Sequence, residues 1–180
     1  MEVKHLSMDG LEAGLALIRQ APADRGELQL IVRRPVAGQR EVLAEGQLDL
    51  AAGLVGDRWG ANAATRAPNP ETQLTLMNAR VAQLVAGSRE RWPLAGDQLY
   101  VDLDLSRANL PPGTRLAIGT AVVEVTAEPH NGCKQFVERF GMDAMLFVNS
   151  PEGKELCLRG INTRVVQAGT IRVGDTATKG

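Results

Sequence analysis

The chain has 180 residues, 44% of them hydrophobic and 23% charged, values that fit one packed domain over residues 1–180 and are too apolar for a disordered segment. Twenty Lys and Arg against 21 Asp and Glu leave a formal net charge of −1, so no global field draws the chain to nucleic acid or to an anionic membrane surface. No apolar run approaches the ~18 residues of a spanning helix, and the charged start at residues 1–5 lacks the apolar stretch of a signal peptide, so a cytoplasmic location is expected.

Asp9 and Glu12 form a capping-box pattern, and Leu11, Leu15 and Ile18 give a helical stripe, which predicts a helix over 9–20. The period then changes to two. Leu28, Leu30 and Val32 alternate with Gln29, Ile31 and Arg33, a strand stopped by Pro35, and 42–49 is a second, weaker strand. Residues 61–70, with two prolines and two asparagines, read as an exposed loop. Leu74 and Leu76 alternate with their neighbours, after which Asn78 can cap a helix carrying Val81, Leu84 and Val85 and closed by Gly87.

The clearest alternation is Leu99, Val101, Leu103 and Leu105 against Gln98, Tyr100, Asp102 and Asp104, a half-buried strand. Pro111-Pro112-Gly113 makes a turn, and Gly119-Thr120 fits a two-residue hairpin between strands at 116–118 and 122–126. A helix over 134–140 ends at Gly141. The segment 149–153 reads as a turn, followed by strands at 156–158, 163–166 and 170–173. Many short strands with few helices indicate a mainly β, α+β fold organised as a β-barrel. Two Trp, one Tyr and three Phe are too few for a base-stacking platform, so the core is expected to be aliphatic.

The richest stretch for chemistry is Pro129-His130-Asn131-Gly132-Cys133-Lys134, in which Asn-Gly turns the chain and delivers Cys133 to the start of the helix ending at Gly141. A helix N-terminus favours thiolate over thiol, and Lys134, Arg139 and His130 add to this, so Cys133 reads as a reactive thiolate or as a small buried packing residue. His130 could serve as its base, although no third orienting residue is evident, and a structural zinc site lacks ligands. Cys157, in its expected strand, reads as structural. Both thiols are expected to be reduced. Between His130 and Arg172 six Lys or Arg face four Asp or Glu, a locally basic third suited to a small phosphorylated ligand.

One ordered set of motifs resembles the MOSC domains, named for the C-terminal domain of molybdenum cofactor sulfurases. It comprises Gly53-Leu54-Val55-Gly56-Asp57-Arg58, Gly96-Asp97-Gln98-Leu99, the run Leu110-Pro111-Pro112-Gly113-Thr114-Arg115-Leu116-Ala117-Ile118-Gly119, Pro129 with His130 through Lys134, Arg164-Val165-Val166 with Gly169, and Gly174-Asp175. The resemblance implies a β-barrel with short helices. It also implies that Cys133 matches the family's functional cysteine, which carries sulfur as a persulfide or coordinates molybdenum in the molybdenum cofactor (molybdopterin) of reductases for N-hydroxylated compounds. Arg58, Lys134, Arg159 and Arg164 are the cofactor-binding residues it suggests; Cys133, with His130 from the residue pattern above, is the expected catalytic position. Here His130, Asn131 and Gly132 separate Pro129 from Cys133, whereas many members place Pro directly before Cys; Gly96-Asp97-Gln98-Leu99 also departs from the usual Gly-Glu-Asn-Leu. No pyridoxal-phosphate desulfurase unit and no flavin or iron–sulfur signature occurs in the 180 residues, so sulfur is expected from a partner cysteine desulfurase, or electrons from an external donor acting on a small-molecule substrate. The alternative is a non-catalytic β-barrel module that binds a small anion or a protein.

Overall fold

The computed structural model describes residues 2–60 and 67–180. In place of one helix over 9–20, the chain opens with two, α1 (Met8–Ala13) and α2 (Leu15–Arg19). The Ser7 hydroxyl caps α1 by accepting from Gly10 N–H, and Gly14 is the break. A Cβ on Gly14 would lie 2.6 Å from the Leu84 side chain, so the helix pair packs closely where glycine leaves room.

The strands follow as β1 (Arg25–Arg33), β2 (Glu41–Leu43), β3 (Glu45–Asp49), β4 (Gly53–Leu54) and β5 (Leu74–Asn78), then helix α3 (Ala79–Ala86), and β6 (Leu99–Val101), β7 (Arg115–Ile118) and β8 (Ala121–Val125). Three helices, α4 (Lys134–Phe140), α5 (Met142–Asn149) and α6 (Pro151–Glu155), precede β9 (Ile161–Gln167), β10 (Gly169–Arg172) and β11 (Thr176–Lys179). Seven strands close a barrel in the order β1, β11, β7, β8, β9, β5, β6 and back to β1, with β5–β6 the parallel pair. Strand β2 pairs with the outer half of β1, and β10, β3 and β4 form a small separate sheet.

Two hydrophobic layers result. The barrel interior is aliphatic, built from residues such as Leu28, Ile31, Leu76, Leu99, Val123 and Val165, and the small sheet adds Leu48, Leu54 and Ile171 to it. The second layer lies between the outer barrel face and the helices. It holds the buried aromatic residues Trp92, Tyr100, Phe136, Phe140 and Phe147, so an aliphatic core describes the interior alone. Strand β1 serves both layers: Leu28 and Ile31 face inward while Leu30 and Val32 face the helices. A register shift against β6 between Leu28 and Leu30 makes this possible, because the extra residue of a bulge offsets the regular alternation and lets Leu28 and Ile31, three apart, share the inner face.

Several expected boundaries move. The 99–105 strand pairs as β6 only through Val101; beyond it Leu103 and Leu105 remain buried on irregular backbone whose Asp102 and Asp104 amides donate to Glu27 and Pro22 carbonyls. The 42–49 segment divides at Ala44 into two sheets. At 149–153 the Ser150 hydroxyl accepts from Gly153 N–H at 2.9 Å with Pro151 at the first helical position, which starts α6 instead of a turn. No strand forms at 156–158; Cys157 lies just past α6. Of the expected loop at 61–70, residues 61–66 lie outside the described residues, and 70–72 form a single 3-10 turn, Pro70–Thr72. No described helix is long and apolar enough to cross a membrane.

Barrel closure depends on a close approach at Gly26, where a Cβ would sit 1.8 Å from the Asp102 carbonyl oxygen. Gly26→Ala should therefore destabilise the protein by about 3 kcal/mol or more in urea unfolding, at the upper end of overpacking effects. A neutral effect would contradict this closure geometry.

Candidate functional site

A 3-10 helix, Arg89–Ala95, ends in Gly96 at φ +90, and the next residue, Asp97, is wholly buried at the start of the β6 segment. Its carboxylate accepts from Arg159 Nη1 at 2.6 Å and pairs with His130 Nε2 at 2.9 Å. Burial alone would push this carboxyl up; the charges and hydrogen bonds of Arg159 and His130 overcome that and hold it at about 2. Arg159 is 7% exposed, donates through Nη2 to Ala95 O at 2.7 Å and stacks its guanidinium 5.1 Å from the Phe136 ring centroid. Gly160, at φ +121, permits this entry, since a Cβ there would lie 2.4 Å from Leu76 O.

The end of the 3-10 helix gathers cations. Four successive carbonyls each accept from a different arginine: Pro93 from Arg40 Nε (3.0 Å), Leu94 from Arg139 Nη1 (2.7 Å), Ala95 from Arg159 Nη2 (2.7 Å) and Gly96 from Arg34 Nη1 (3.2 Å). Unpaired carbonyls at a helix C-terminus attract positive charge, which explains the convergence. Arg34 also grips Asp57 through two bonds, Nε to Oδ1 at 3.0 Å and Nη2 to Oδ2 at 2.8 Å, and these bonds keep that shielded carboxylate below its ordinary range despite its burial. The buried Gln98, next to Asp97 in the chain, ties Asp57 to β5: its Nε2 donates to Asp57 Oδ2 at 3.3 Å while its Oε1 accepts from Thr75 N–H and hydroxyl. Arg40 is depressed by burial first and then by Arg139, Arg34 and Arg58, so these guanidiniums share one positive field.

Residues 127–133 form an irregular strap held at three points. Asn162 Nδ2 donates to the Glu128 and Pro129 carbonyls at 3.0 and 3.3 Å; His130 is fixed on Asp97; Gly132 exchanges two hydrogen bonds with the Asn149 amide at 2.8 and 3.1 Å. Gly132 is not left-handed, so the expected Asn-Gly turn is replaced by this amide clamp. The strap ends in Cys133, exposed at the N-cap of α4, with its carbonyl accepting from Phe136 and Val137 N–H.

The structure therefore unites His130 and Arg159 on Asp97 and delivers Cys133 three residues further on, at most about 11 Å of chain from His130. His130 makes its hydrogen bond to Asp97, not to the Cys133 thiol. Arg58 is exposed in the 3-10 turn Arg58–Gly60 beside the arginine cluster, and Lys134 is the exposed first residue of α4. Arg164 is not brought to the site: it lies on β9 against Glu124 of β8 at 2.7 Å, a cross-strand pair on the outer barrel surface shared with Arg115. Asp97, Asp57, Arg34, Arg40, Asn149 and Asn162 were not expected as site residues, and Arg139, expected beside the Cys133 thiol, instead donates to Leu94 O. Asp57 and Asp97 stood inside two of the motifs that carry the resemblance, Gly53–Arg58 and Gly96–Leu99, and a carboxylate directly after glycine in both is the sequence signal that could have found them.

Asp97 gives the site a measurable acid signature. Its folded value of about 2 lies below the ordinary 3.8, so its stabilisation is complete above about pH 4 and is lost as the pH falls toward 2. Urea unfolding from pH 5 to 2 should lose about 2 kcal/mol through this group. Asp97→Asn should lack that component and cost about 3–5 kcal/mol at neutral pH, because Arg159 is left buried without its counter-charge.

Comparison with known proteins agrees with this architecture. The MOSC domain model matches residues 67–178. No curated protein matches the chain. Among solved structures, the fold is similar to YuaD protein from Bacillus subtilis, with 16% identity, a TM-score of 0.58 and coverage of 86% of this chain and 95% of that one. YiiM from Escherichia coli gives 20% identity and a TM-score of 0.55, covering 86% and 69%. A structure described only as a hypothetical protein gives 19% and 0.60, covering 91% and 70%. The matched span exceeds half of the sequence and contains the Asp97 site, the strap and Cys133; the chain belongs to the MOSC domain family.

Proposed function

We propose that this protein binds molybdenum cofactor, with Cys133 as the sulfur ligand to the metal, and acts as the cofactor-holding module of a reductase for N-hydroxylated small molecules. The observation that carries this reading is the exposed Cys133 thiol at the end of a strap clamped at three points. Among the described residues no group of three or more His, Cys, Asp or Glu is placed to hold a bare ion. A metal suited to this chain would therefore arrive in its own chelate and need one soft donor from the protein, a role a cysteine sulfur fits. Arg58 and Lys134, both exposed, would meet the cofactor's phosphate, and Arg159 would support that end through its buried guanidinium. When bound, the cofactor would supply the two-electron redox chemistry, with electrons from an external donor. The chain's own contribution is positional: Asp97 fixes His130, His130 and Asn149 fix the strap, and the strap presents one sulfur. The exposure of Cys133 also favours a second reading, in which the same sulfur carries a persulfide received from a cysteine desulfurase.

The test is molybdenum per chain in protein purified from a host that makes the cofactor, for the wild type and Cys133→Ser. Near-stoichiometric metal, lost in the variant, is expected. Metal-free wild type that instead carries a reducible extra sulfur on Cys133 would support the carrier, and neither would leave a non-catalytic binding module.

A further inference from the structure

A cavity of about 690 Å³ lies between α2, α3 and the N-terminal segment, over the outer face of β1. That volume falls within the range of about 300–1,000 Å³ usual for small-molecule sites, and none of Cys133, His130, Asp97 or Arg159 lines it. Its walls are aliphatic. Leu6, Leu17, Ile18 and Leu84 line it, and Leu6 and Leu17 are 45% and 60% exposed although they converge on a concavity. Single apolar side chains on a convex surface need no account, whereas two that flank a cavity mark where an apolar body would be taken out of water. Trp92 contributes to the lining, but it is buried and its ring lies under the Arg89 guanidinium at 5.0 Å, so it offers no open stacking face.

The charged part of the lining is out of balance. It comprises Lys4, Arg80, Arg89 and Arg91 against one carboxylate, Asp102. Arg80 takes that carboxylate, with Nε on Asp102 Oδ1 at 2.7 Å. Lys4, Arg89 and Arg91 form no ion pair with any described carboxylate. Backbone carbonyls fix the two arginines instead: Arg89 donates to Gln29 O, and Arg91 bridges Ala86 O and Arg139 O at 2.8 Å each. Such bonds satisfy N–H groups without cancelling the charge. The end of α3 accounts for the bond from Arg91 to Ala86 O, but nothing in the fold accounts for three like charges around one aliphatic cavity, an arrangement that repels itself most where water is excluded.

We propose that this cavity binds the anion of a medium-chain aliphatic carboxylic acid, its alkyl chain against Leu6, Leu17, Ile18 and Leu84 and its carboxylate among Lys4, Arg89 and Arg91. The chain removes the exposed leucines from water, and the carboxylate supplies the counter-charge that the rim lacks. The same surplus repels an alkyl cation and gives an alkyl anion the advantage over its neutral analogue. Aliphatic walls and a covered indole favour a flexible chain over a flat aromatic body. The cavity is separate from Cys133, so it stands or falls independently of the molybdenum reading.

Isothermal titration calorimetry of the wild-type protein with dodecanoate, below its micelle concentration, tests it. One anion per chain should bind saturably with a negative heat-capacity change, the mark of apolar burial, and decanoate should bind about tenfold more weakly for its two missing methylenes. Decanol should bind more weakly than decanoate, and decylammonium should not bind. Two variants locate the site. Arg89→Gln should weaken dodecanoate about tenfold, and Leu17→Glu, on an exposed face of α2 where the thermal midpoint should hold, should abolish binding. No saturable binding overturns the proposal, as does decanol binding as tightly as decanoate, or dodecanoate binding that ignores both variants. Self-association of the ligand-free protein in sedimentation, broken by Leu17→Glu and indifferent to dodecanoate, would assign the face to a second copy of the chain and overturn it as well.

Discussion

The candidate site is organised around one fully buried carboxylate. Asp97 sits where the 3-10 helix meets the barrel, and a charge in that position is tolerable only because Arg159 neutralises it and Arg159 and His130 hydrogen-bond both of its oxygens. Arg159 comes from the turn before β9 and His130 from the strap after β8. The carboxylate therefore ties three distant parts of the chain to one point, and removing it would leave Arg159 buried without its counter-ion.

The arrangement around it follows from the same electrostatics. The end of the 3-10 helix exposes a run of carbonyls with negative partial charge, and four arginines from four different segments satisfy them. Two carboxylates, Asp57 and Asp97, balance part of that positive charge. What remains is a cationic rim on a rigid barrel, near an exposed cysteine sulfur whose mounting is fixed by amide and imidazole hydrogen bonds. A rigid aliphatic interior and an aromatic outer layer keep these partners in register.

The barrel was legible in the sequence because period-two patterns and the Gly119-Thr120 hairpin are local, as were α3 and α4 with their glycine stops. Cys133 was legible for the same reason: its place at a helix start is written in adjacent residues. What escaped was non-local. The β1 bulge, the division at Ala44 and the closing strand β11 depend on partners far along the chain. Leu156-Cys157-Leu158 mimicked a strand because apolar residues flank a thiol there, whereas Gly153 and Ser150 commit the segment to the end of a helix. Arg164 was suggested by its place in the family motifs, and its cross-strand partner Glu124 could not be seen without the register. Asp97 was hidden for a similar reason, since a Gly-Asp pair marks a surface turn far more often than a buried charge.

The claim that Asp97 anchors the strap through His130 is tested most directly by amide hydrogen exchange in the wild type and Asp97→Asn under native conditions. The account predicts that residues 128–133 lose protection in the variant while the β7–β8 hairpin keeps its own. Equal acceleration in both regions, or an unchanged strap, would contradict it.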